Sequence, residues 1–324
     1  MNGKLWYSLF FIKVLLVMVS LAVLLPAPSA QAAENGLGVY PLGYNSSMAG
    51  FMPPPGFYLR NDFYAYQGTS PQIPLAKRIE ADIRGRYLID LINFTYVSPN
   101  KIFGANYGLA VIWGAVANTF IKGKAEFANI ISKSREGDRT SVSDLTVTPI
   151  ILGWHKNNLH IMAYGNIYVP VGDYNSDRVL NTGLNRWAVE PMVAVTWLNP
   201  KIGTELSMAM GYTINLRNYA TKYLTGQELH IEWFAGQHFT KWFAVGLAGF
   251  FYQQVTGDSG PGARLGAFQG QALAIGPCLT FNGMIGKRPI GLSLRYYDEL
   301  STTNRLNGQS FFATLTFGLT KMSQ

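Results

Sequence analysis

The 324-residue chain combines 14% aromatic residues and 34 glycines with only 14% charged residues, a balance that is unusual for a soluble secreted protein. Its single cysteine, Cys278, excludes an internal disulfide framework. The formal net charge of +8 is spread along the chain without a basic cluster interleaved with aromatic residues, so nucleic-acid binding is not expected.

The N-terminus carries the features of an export signal. Lys4 precedes an apolar run from Leu5 to Leu25, and Ala30-Gln31-Ala32 matches the small-residue motif that signal peptidase cleaves. The apolar run is also long enough for an uncleaved membrane anchor, but the cleavage motif directly behind it favours a cleaved signal over residues 1–32. We therefore expect export through the general secretory route and a mature chain that begins near Ala33.

The next tract, residues 33–55, is rich in glycine and proline, which disfavour both helix and strand. We expect an irregular segment here. It can remain in the periplasm or enter the interior of the domain that follows, and we favour partial occupancy of that interior.

Residues 56–320 alternate between two kinds of side chain at every second position, which is the pattern of β-strands. In most strands one row is large and apolar and the other is small or polar; Leu206 and Met208, for example, alternate with Glu205 and Ser207. A soluble sandwich would show a water-facing row rich in Lys and Glu, whereas a small, polar second row suits the lumen of a membrane barrel. The predicted strands are 56–67, 77–97, 105–119, 142–155, 159–170, 187–198, 203–215, 227–238, 242–256, 265–281, 290–298 and 309–320.

The connections between these strands differ in length on the two sides. Those after even-numbered strands are short, such as NPKI after residue 198, and those after odd-numbered strands are long and polar, such as residues 171–186. Outer-membrane barrels have short periplasmic turns and long extracellular loops. The sequence therefore predicts an all-β, transmembrane, antiparallel up-and-down β-barrel of about 12 strands over residues 56–320, followed by a tail at 321–324. The loop segment 122–138 is long enough to hold a short helix.

Charged side chains on the second rows are the candidates for the lumen. They can form an ion-pair network that fills and rigidifies a narrow barrel, or a polar constriction that sets selectivity. For any single residue we favour the structural role. The candidates are Arg60, Asp62, Arg78, Glu80, Asp82, Arg84, Arg86, Asp90, Glu190, Glu205, Glu228, His230, Glu232 and Arg295.

Tryptophans mark the expected membrane boundaries. The ten residue steps from Trp187 to Trp197, at roughly 3.3 Å each and tilted by about 40°, span roughly 25 Å along the membrane normal, the height of the apolar band. Both tryptophans are therefore assigned to the interfacial girdles, together with Trp113 and Trp233. Within the same strand Pro191 removes a ladder donor, so we expect a bulge or a local break. Prolines within strands, Pro149, Pro191 and Pro277, motivate the hypothesis of a kinked strand or a lateral opening.

Signals of catalysis are poor. The sequence contains none of the common hydrolase, zinc-protease, redox-cysteine or nucleotide-binding motifs. Its four histidines, His155, His160, His230 and His238, are expected to be hydrogen-bonded structural groups, and neither a metal ion nor a cofactor is predicted. Besides a barrel that passes solutes through its lumen, two functions stay open. One is an outer-membrane lipid hydrolase with a dyad built across strands, and the other is a structural or adhesive barrel whose loops at 120–141 and 171–186 bind partners.

Several stretches together resemble the family of exported proteins named for the meta-pathway of phenol degradation. They include PPPGFYLRNDFYAYQG, YVPVGDYNSDRVLNTGLNRWAVEPMVAVTWL, GTELSMAMGYTINLRN and LSLRYYDEL, and they run from residue 53 toward the C-terminus. The resemblance implies a Gram-negative outer-membrane β-barrel, in contact with outer-membrane lipid, that admits small hydrophobic or aromatic compounds by passive diffusion. The chain departs from the standard C-terminal assembly signal of outer-membrane barrels, because its last phenylalanine, Phe317, is not terminal: Gly318 and LTKMSQ follow it.

Overall fold

The computed structural model describes residues 38–75, 79–127, 131–178, 180–264 and 266–321. Within the strands, the side chains of residues 70–82 and 123–135 are not part of this description. The predicted signal peptide at 1–32, the residues up to 37 and most of the predicted tail lie outside the described residues.

The described part of the chain contains thirteen antiparallel strand segments. No helix among the described residues is long and apolar enough to cross a membrane. The strands are β1 Gly56–Leu75, β2 Ile79–Ile102, β3 Ala105–Phe127, β4 Ile131–Ser141, β5 Leu145–Lys156, β6 Leu159–Val169, β7 Ala188–Asn199, β8 Thr204–Asn215, β9 Glu228–His238, β10 Phe243–Gln254, β11 Gln271–Ile285, β12 Arg288–Thr303 and β13 Asn307–Gly318.

The strands close into a barrel in chain order. Apart from β4 and β5, strands that follow one another in sequence pair, and β1 pairs with both β2 and β13, which joins the two ends of the sheet. β4 and β5 occupy one position in the wall, because β4 pairs with residues 117–127 of β3 and β5 pairs with residues 106–113. The wall therefore has twelve positions, and the predicted antiparallel barrel of about 12 strands is confirmed. β5 and β6 complete the ring of paired strands, whereas β4, among the described residues, pairs on one side only, with β3.

Residues 122–127 and 131–138 belong to the long β3–β4 hairpin, so these described residues do not form the short helix that the sequence allowed. Cross-strand pairs stabilise the extended form: Lys122 Nζ lies 3.1 Å from a Glu136 carboxylate oxygen, and the Asn118 side-chain amide donates to Asp138 at 2.6 Å. Opposite charges across a ladder favour a strand pair in the same way that i to i+4 pairs favour a helix.

Short turns lie at one end of the barrel and long connections at the other. The turns after β2, β5, β7, β9 and β11 reverse the chain within a few residues. Left-handed backbone conformations make these reversals possible, at Phe103 (φ 52°), Asn157 (φ 54°) and Gly286 (φ 61°) for example. The loops at the other end carry most of the irregular chain.

The strand prolines distort the wall unequally. β5 changes register against both β3 and β6 close to Pro149, so a bulge lies there. β7 keeps the same register against β8 on both sides of Pro191, and bridges lapse only at Glu190 and Pro191. The bulge or local break expected at Pro191 is therefore present as a local break. In β11 the pairing with β12 also lapses at Gly276 and Pro277, and the register is the same on both sides of them.

Candidate functional site

The barrel interior encloses a cavity of about 1240 Å³ that extends from the short-turn end to the long-loop end. Its lining includes Lys201 and Phe239 at the short turns and Leu184 and Arg305 at the long loops. Most of the remaining wall consists of inward side chains of the strands. Residues 38–54 pass through the same space and line the cavity from within. The site is therefore the lumen itself, shared between the wall and the N-terminal segment, residues 38–55.

Glu232 on β9 is the main attachment point of the N-terminal segment. Its carboxylate accepts hydrogen bonds from the Tyr40 hydroxyl at 2.6 Å, the Gly43 N–H at 2.6 Å and the Asn45 N–H at 3.0 Å. Burial raises the pKa of Tyr40 well above its ordinary value, and the negative charge of Glu232 raises it further, so the hydroxyl keeps its proton and donates. A buried carboxylate satisfied by three donors holds the segment at this height in the lumen.

Glu205 on β8 holds the segment nearer the short-turn end. Its carboxylate accepts from the Ser47 hydroxyl at 2.9 Å and the Met48 N–H at 2.6 Å. The same group lies 2.6 Å from His238 Nε2 and accepts from Ser207 at 2.6 Å. One carboxylate therefore links β8 and β9 to the backbone of the segment.

A basic pair holds the segment from the opposite wall. Arg60 donates to both carboxylate oxygens of Asp62, at 2.7 and 2.8 Å, and the same carboxylate lies 3.5 Å from Arg295. The two guanidinium groups also donate to the carbonyl oxygen of Tyr44, and Arg60 stacks over the Tyr44 ring at 4.1 Å. Burial raises the pKa of Tyr44 to about 12. The Tyr44 carbonyl oxygen and the Asp62 carboxylate thus accept from both cations, of which Arg295 is buried and Arg60 partly exposed.

Two glycines let the segment approach the wall closely. A Cβ added at Gly50 would lie 2.6 Å from the carbonyl oxygen of His160 and 2.6 Å from the backbone N of Thr196. Gly43, at φ 90°, would place a Cβ 2.6 Å from the ring of Tyr297. The Gly50 N–H also donates to the Thr196 hydroxyl at 2.9 Å. Glycine at these positions is what permits the segment to pack against the strands.

A second carboxylate network makes its hydrogen bonds within the wall. Glu190 accepts from Asn166 at 3.0 Å, Tyr168 at 2.6 Å and Thr213 at 2.6 Å, and lies 3.0 Å from His230 Nε2. His230 in turn stacks on Tyr40 with ring centroids 3.9 Å apart. Elsewhere in the wall, Glu228 accepts from Asn215 at 3.1 Å and Tyr252 at 2.7 Å. These groups stabilise the barrel around the segment and do not hydrogen-bond to it.

Aromatic and aliphatic side chains line the rest of the cavity. On β1 and β2, Tyr66 and Tyr87 stack with centroids 5.9 Å apart, and Ile89 and Leu91 continue the same inward row. Tyr64 packs against Phe312 at 4.5 Å. Apolar rings with hydroxyl groups therefore face the open part of the lumen.

This inward row on β2 corrects part of the predicted lumen set. Tyr87 and Leu91 line the cavity, whereas Arg84 and Arg86 are exposed on the other face, and Asp90 accepts there from Asn61 at 2.6 Å. The assignment of Arg84, Arg86 and Asp90 to the lumen is wrong, because alternation separates two faces without saying which is inward. Arg84 and Arg86 also lie near the long-loop end, where an outward row need not be apolar. Arg78 and the side chains of Glu80 and Asp82 lie outside the description.

The remaining lumen candidates point to the interior. Their side chains are almost fully buried, except for Arg60, which is partly exposed. They are Arg60, Asp62, Glu190, Glu205, Glu228, His230, Glu232 and Arg295.

Sequence reasoning missed several partners of these groups. Tyr168 and Tyr252 were not among the predicted lumen residues, and Tyr40 lies in a tract without periodicity. Arg305, on the loop between β12 and β13, stacks over Tyr252 at 4.3 Å. The clue was the presence of tyrosine at inward positions, where burial of the ring requires a partner for the hydroxyl.

The assigned tryptophans lie on the outward face. Trp113 and Trp187 are exposed, and Trp197 and Trp233 are half-buried among their neighbours. Trp187 precedes β7 at the long-loop end and Trp197 lies at the short-turn end of the same strand. An unpredicted Trp242 is 54% exposed at the turn between β9 and β10. Their role as girdles stays a prediction.

The histidines near the short turns form one close pair. His155 Nδ1 and His160 Nδ1 lie 2.8 Å apart, and Phe51 packs against both rings. In the part of the chain that the structure describes, no group of three His, Cys, Asp or Glu side chains is placed to hold a metal ion.

Comparisons with known proteins relate this architecture to a family. The family model named for the MetA-pathway of phenol degradation matches residues 63–315. An outer membrane channel from Pseudomonas putida F1 is similar at 14% identity over 86% of this chain and 98% of that one, with a TM-score of 0.61. A Pseudomonas aeruginosa FadL homologue aligns at 8% identity over 90% and 97% of the two chains, with a TM-score of 0.38. A comparison with curated proteins finds no significant match.

Proposed function

The chain belongs to the family named for the MetA-pathway of phenol degradation, and from this premise we propose that it is an outer-membrane channel for passive uptake of small hydrophobic or aromatic compounds. The fold it shares with the channel from Pseudomonas putida F1 is that of an outer-membrane β-barrel. The direction of transport, the class of solute and the absence of a chemical step go beyond the family and the fold and are proposed here.

The observation that carries the proposal is the lining of the cavity. Between the long-loop end and the N-terminal segment, the wall presents Tyr64, Tyr66, Tyr87, Ile89 and Leu91 on one side. Ligand sites combine apolar walls with a few polar groups that fix orientation. Rings with hydroxyl groups offer a phenol-like solute both stacking and a hydrogen-bond partner.

The N-terminal segment restricts this route. Its backbone is held by Glu205 and Glu232 on one wall and by Arg60 and Arg295 on the other. We propose that solute passes when part of the segment is displaced or leaves the lumen through the wall. Interfaces of many polar contacts on irregular chain open more readily than a continuous ladder.

Irregular pairing marks the sector of the wall that best supports a lateral exit. Register shifts lie between β2 and β3, between β3 and β5, and between β5 and β6. Residues 142–144 interrupt the strand position shared by β4 and β5 in the same sector. Outward side chains here are apolar and exposed, including Val116 at 52% and Ile150 at 53%. A hydrophobic solute leaving between these strands would enter lipid directly.

Uptake by cells tests the proposal. A strain lacking the gene, and the same strain complemented, are compared for initial accumulation of a panel of labelled aromatic, aliphatic and hydrophilic compounds. We expect slower accumulation of a subset of aromatic or hydrophobic compounds and no change for the hydrophilic ones. Unaltered accumulation of every compound would contradict the transport role. Conductance or solute flux with the purified barrel in bilayers then separates a channel from an adhesive barrel, and lipid-release assays address a hydrolase.

A further inference from the structure

The short-turn end of the barrel carries a distinctive set of charges. We define the short-turn rim as residues 98–104, 155–160, 199–203, 239–242, 284–289 and 319–321, the five turns and the chain end that follow one another around the barrel. The rim contains seven cations, all exposed: Lys101, Lys156, Lys201, Lys241, Lys287, Arg288 and Lys321. The sequence of these segments contains no Asp or Glu.

The rim accounts for the positive charge of the chain after the signal. Removing Lys4 and Lys13 from the formal charge of +8 leaves +6 for residues 33–324. The seven rim cations exceed that value, so the rest of these residues carry one more acid than base. Such a segregation of charge to one end creates a local positive potential that the opposite end lacks.

The cations are distributed rather than clustered. Each of the five short turns carries at least one Lys, and the chain end beside β13 carries another. Because successive hairpins follow the circumference, the charges form a ring around the barrel. A ring suits a partner that surrounds the barrel, whereas a protein partner would contact one sector.

Exposed apolar side chains accompany the ring. Phe103, two residues after Lys101, is 89% exposed; Trp242, directly after Lys241, is 54% exposed; and Ile285, two residues before Lys287, is 61% exposed. This pairing of a long cation with an outward aromatic or aliphatic side chain is the pattern of groups that sit at the boundary between headgroups and acyl chains.

We propose that the short-turn rim binds anionic phospholipid headgroups of the inner leaflet of the outer membrane. The phosphodiester of a lipid such as phosphatidylglycerol accepts from the Lys and Arg groups, and the neighbouring apolar side chains contact the first part of the acyl chains. The ring thereby fixes the height of the barrel in the bilayer. This inference is independent of which solute the lumen passes.

Relative association of spin-labelled phosphatidylglycerol and phosphatidylcholine with the full-length barrel in vesicles tests the proposal. The rim variant carries Lys101→Gln, Lys156→Gln and Lys287→Gln, none of which lines the cavity. The matched control carries Arg217→Gln, Lys222→Gln and Arg264→Gln, three exposed cations of the long loops. Both lose the same charge, and heat-modifiable migration on gels verifies that each barrel is folded.

We expect the native barrel to prefer phosphatidylglycerol, and the preference to fall with added salt. One cation near an anionic membrane surface contributes about 1 kcal/mol, or about fivefold, so removing three of seven should lower the averaged preference by about twofold. Lys→Glu at the same three positions should lower it further, and the control should retain it. An unchanged preference in the rim variants, or an equal loss in the control, would overturn the proposal. Binding of polyglutamate, a model of an acidic protein, is measured on the same variants. If the rim variant retains the lipid preference of the native barrel but loses binding of polyglutamate, the rim binds an acidic protein instead.

Discussion

The carboxylate of Glu232 on β9 accepts a hydrogen bond of 2.6 Å from the hydroxyl of Tyr40, which lies 192 residues earlier in the chain. The contact joins the wall to a segment without regular secondary structure. Because the Gly43 and Asn45 N–H groups donate to the same carboxylate, one side chain of the wall positions the middle of the N-terminal segment.

Replacing Glu232 by Gln tests this attachment. The amide keeps the shape but loses the charge and part of the acceptor capacity, so at least one buried donor of the segment loses its partner. The cost is about 1–3 kcal/mol, and about 1 kcal/mol already raises the displaced population about fivefold. We expect higher conductance and faster solute flux through the purified barrel in bilayers.

Glu190→Gln is the matched control, because Glu190 is equally buried and its hydrogen bonds go to the wall. It should destabilise the barrel by a similar amount without a comparable gain in conductance. Equal conductance of the two variants would contradict the role of Glu232 in holding the segment.

Gly50→Ala tests the close approach of the segment to β6 and β7. The added Cβ would lie 2.6 Å from backbone atoms of both strands, and backbone cannot give way as a flexible side chain can. The segment must shift, at a cost of about 1–3 kcal/mol. We expect faster solute flux and easier proteolytic cleavage within residues 38–55. Gly165→Ala, where a Cβ meets nothing within 4 Å, should leave both measurements unchanged.

The sequence predicted the barrel well because period-two alternation is a local property of each strand. Glu205 and Ser207 differ from Leu206 and Met208 whatever surrounds them, and the turn lengths fix which end is which. Alternation cannot predict which face of a strand points inward where that depends on the side chains that already fill the lumen. Tyr87 and Leu91 face inward because the lumen is itself lined by rings and aliphatic groups, a property of the assembled barrel.

Contacts of the N-terminal segment are less predictable still. Tyr40, Gly43 and Asn45 converge on Glu232 through a path that no periodicity describes. The sequence showed only that regular structure is disfavoured there and that charged inward residues need partners. Which donors satisfy Glu205 and Glu232 depends on the path of the backbone, which is set by close packing at Gly50 and Gly43.

The loop between β6 and β7 gives a prediction of pH dependence. Asp173 accepts from Arg178 at 2.8 Å and from Arg139, and these hydrogen bonds lower its pKa from 3.8 to about 2. The pKa is depressed in the folded state, so the ionised group stabilises the loop above its ordinary pKa and loses this effect as the pH falls through about 2.

Cleavage by pepsin, which works across this range, measures the effect. We expect residues 170–187 to stay protected at pH 3.5 and to become accessible near pH 2. Asp173→Asn should lose protection at both pH values, and Asp177→Asn, an exposed acid of the same loop, should behave as the native chain. Protection of the Asp173→Asn barrel at pH 3.5 would contradict the assignment.

Substitution of Pro149 and of Pro191 distinguishes a lateral exit of solute from a route along the barrel axis. Valine at either position supplies a backbone N–H, and one more ladder hydrogen bond stabilises the closed wall by about 1 kcal/mol. Pro149 lies in a bulge, within the sector where register shifts cluster. Pro191 lies between strands that keep their register. Pro149→Val should therefore lower uptake of a hydrophobic solute by about fivefold, whereas Pro191→Val should raise thermal stability and leave uptake unchanged. If initial uptake rates are the same in both variants and in the native strain, solute does not leave between β3 and β6, and the displaced N-terminal segment is the remaining gate.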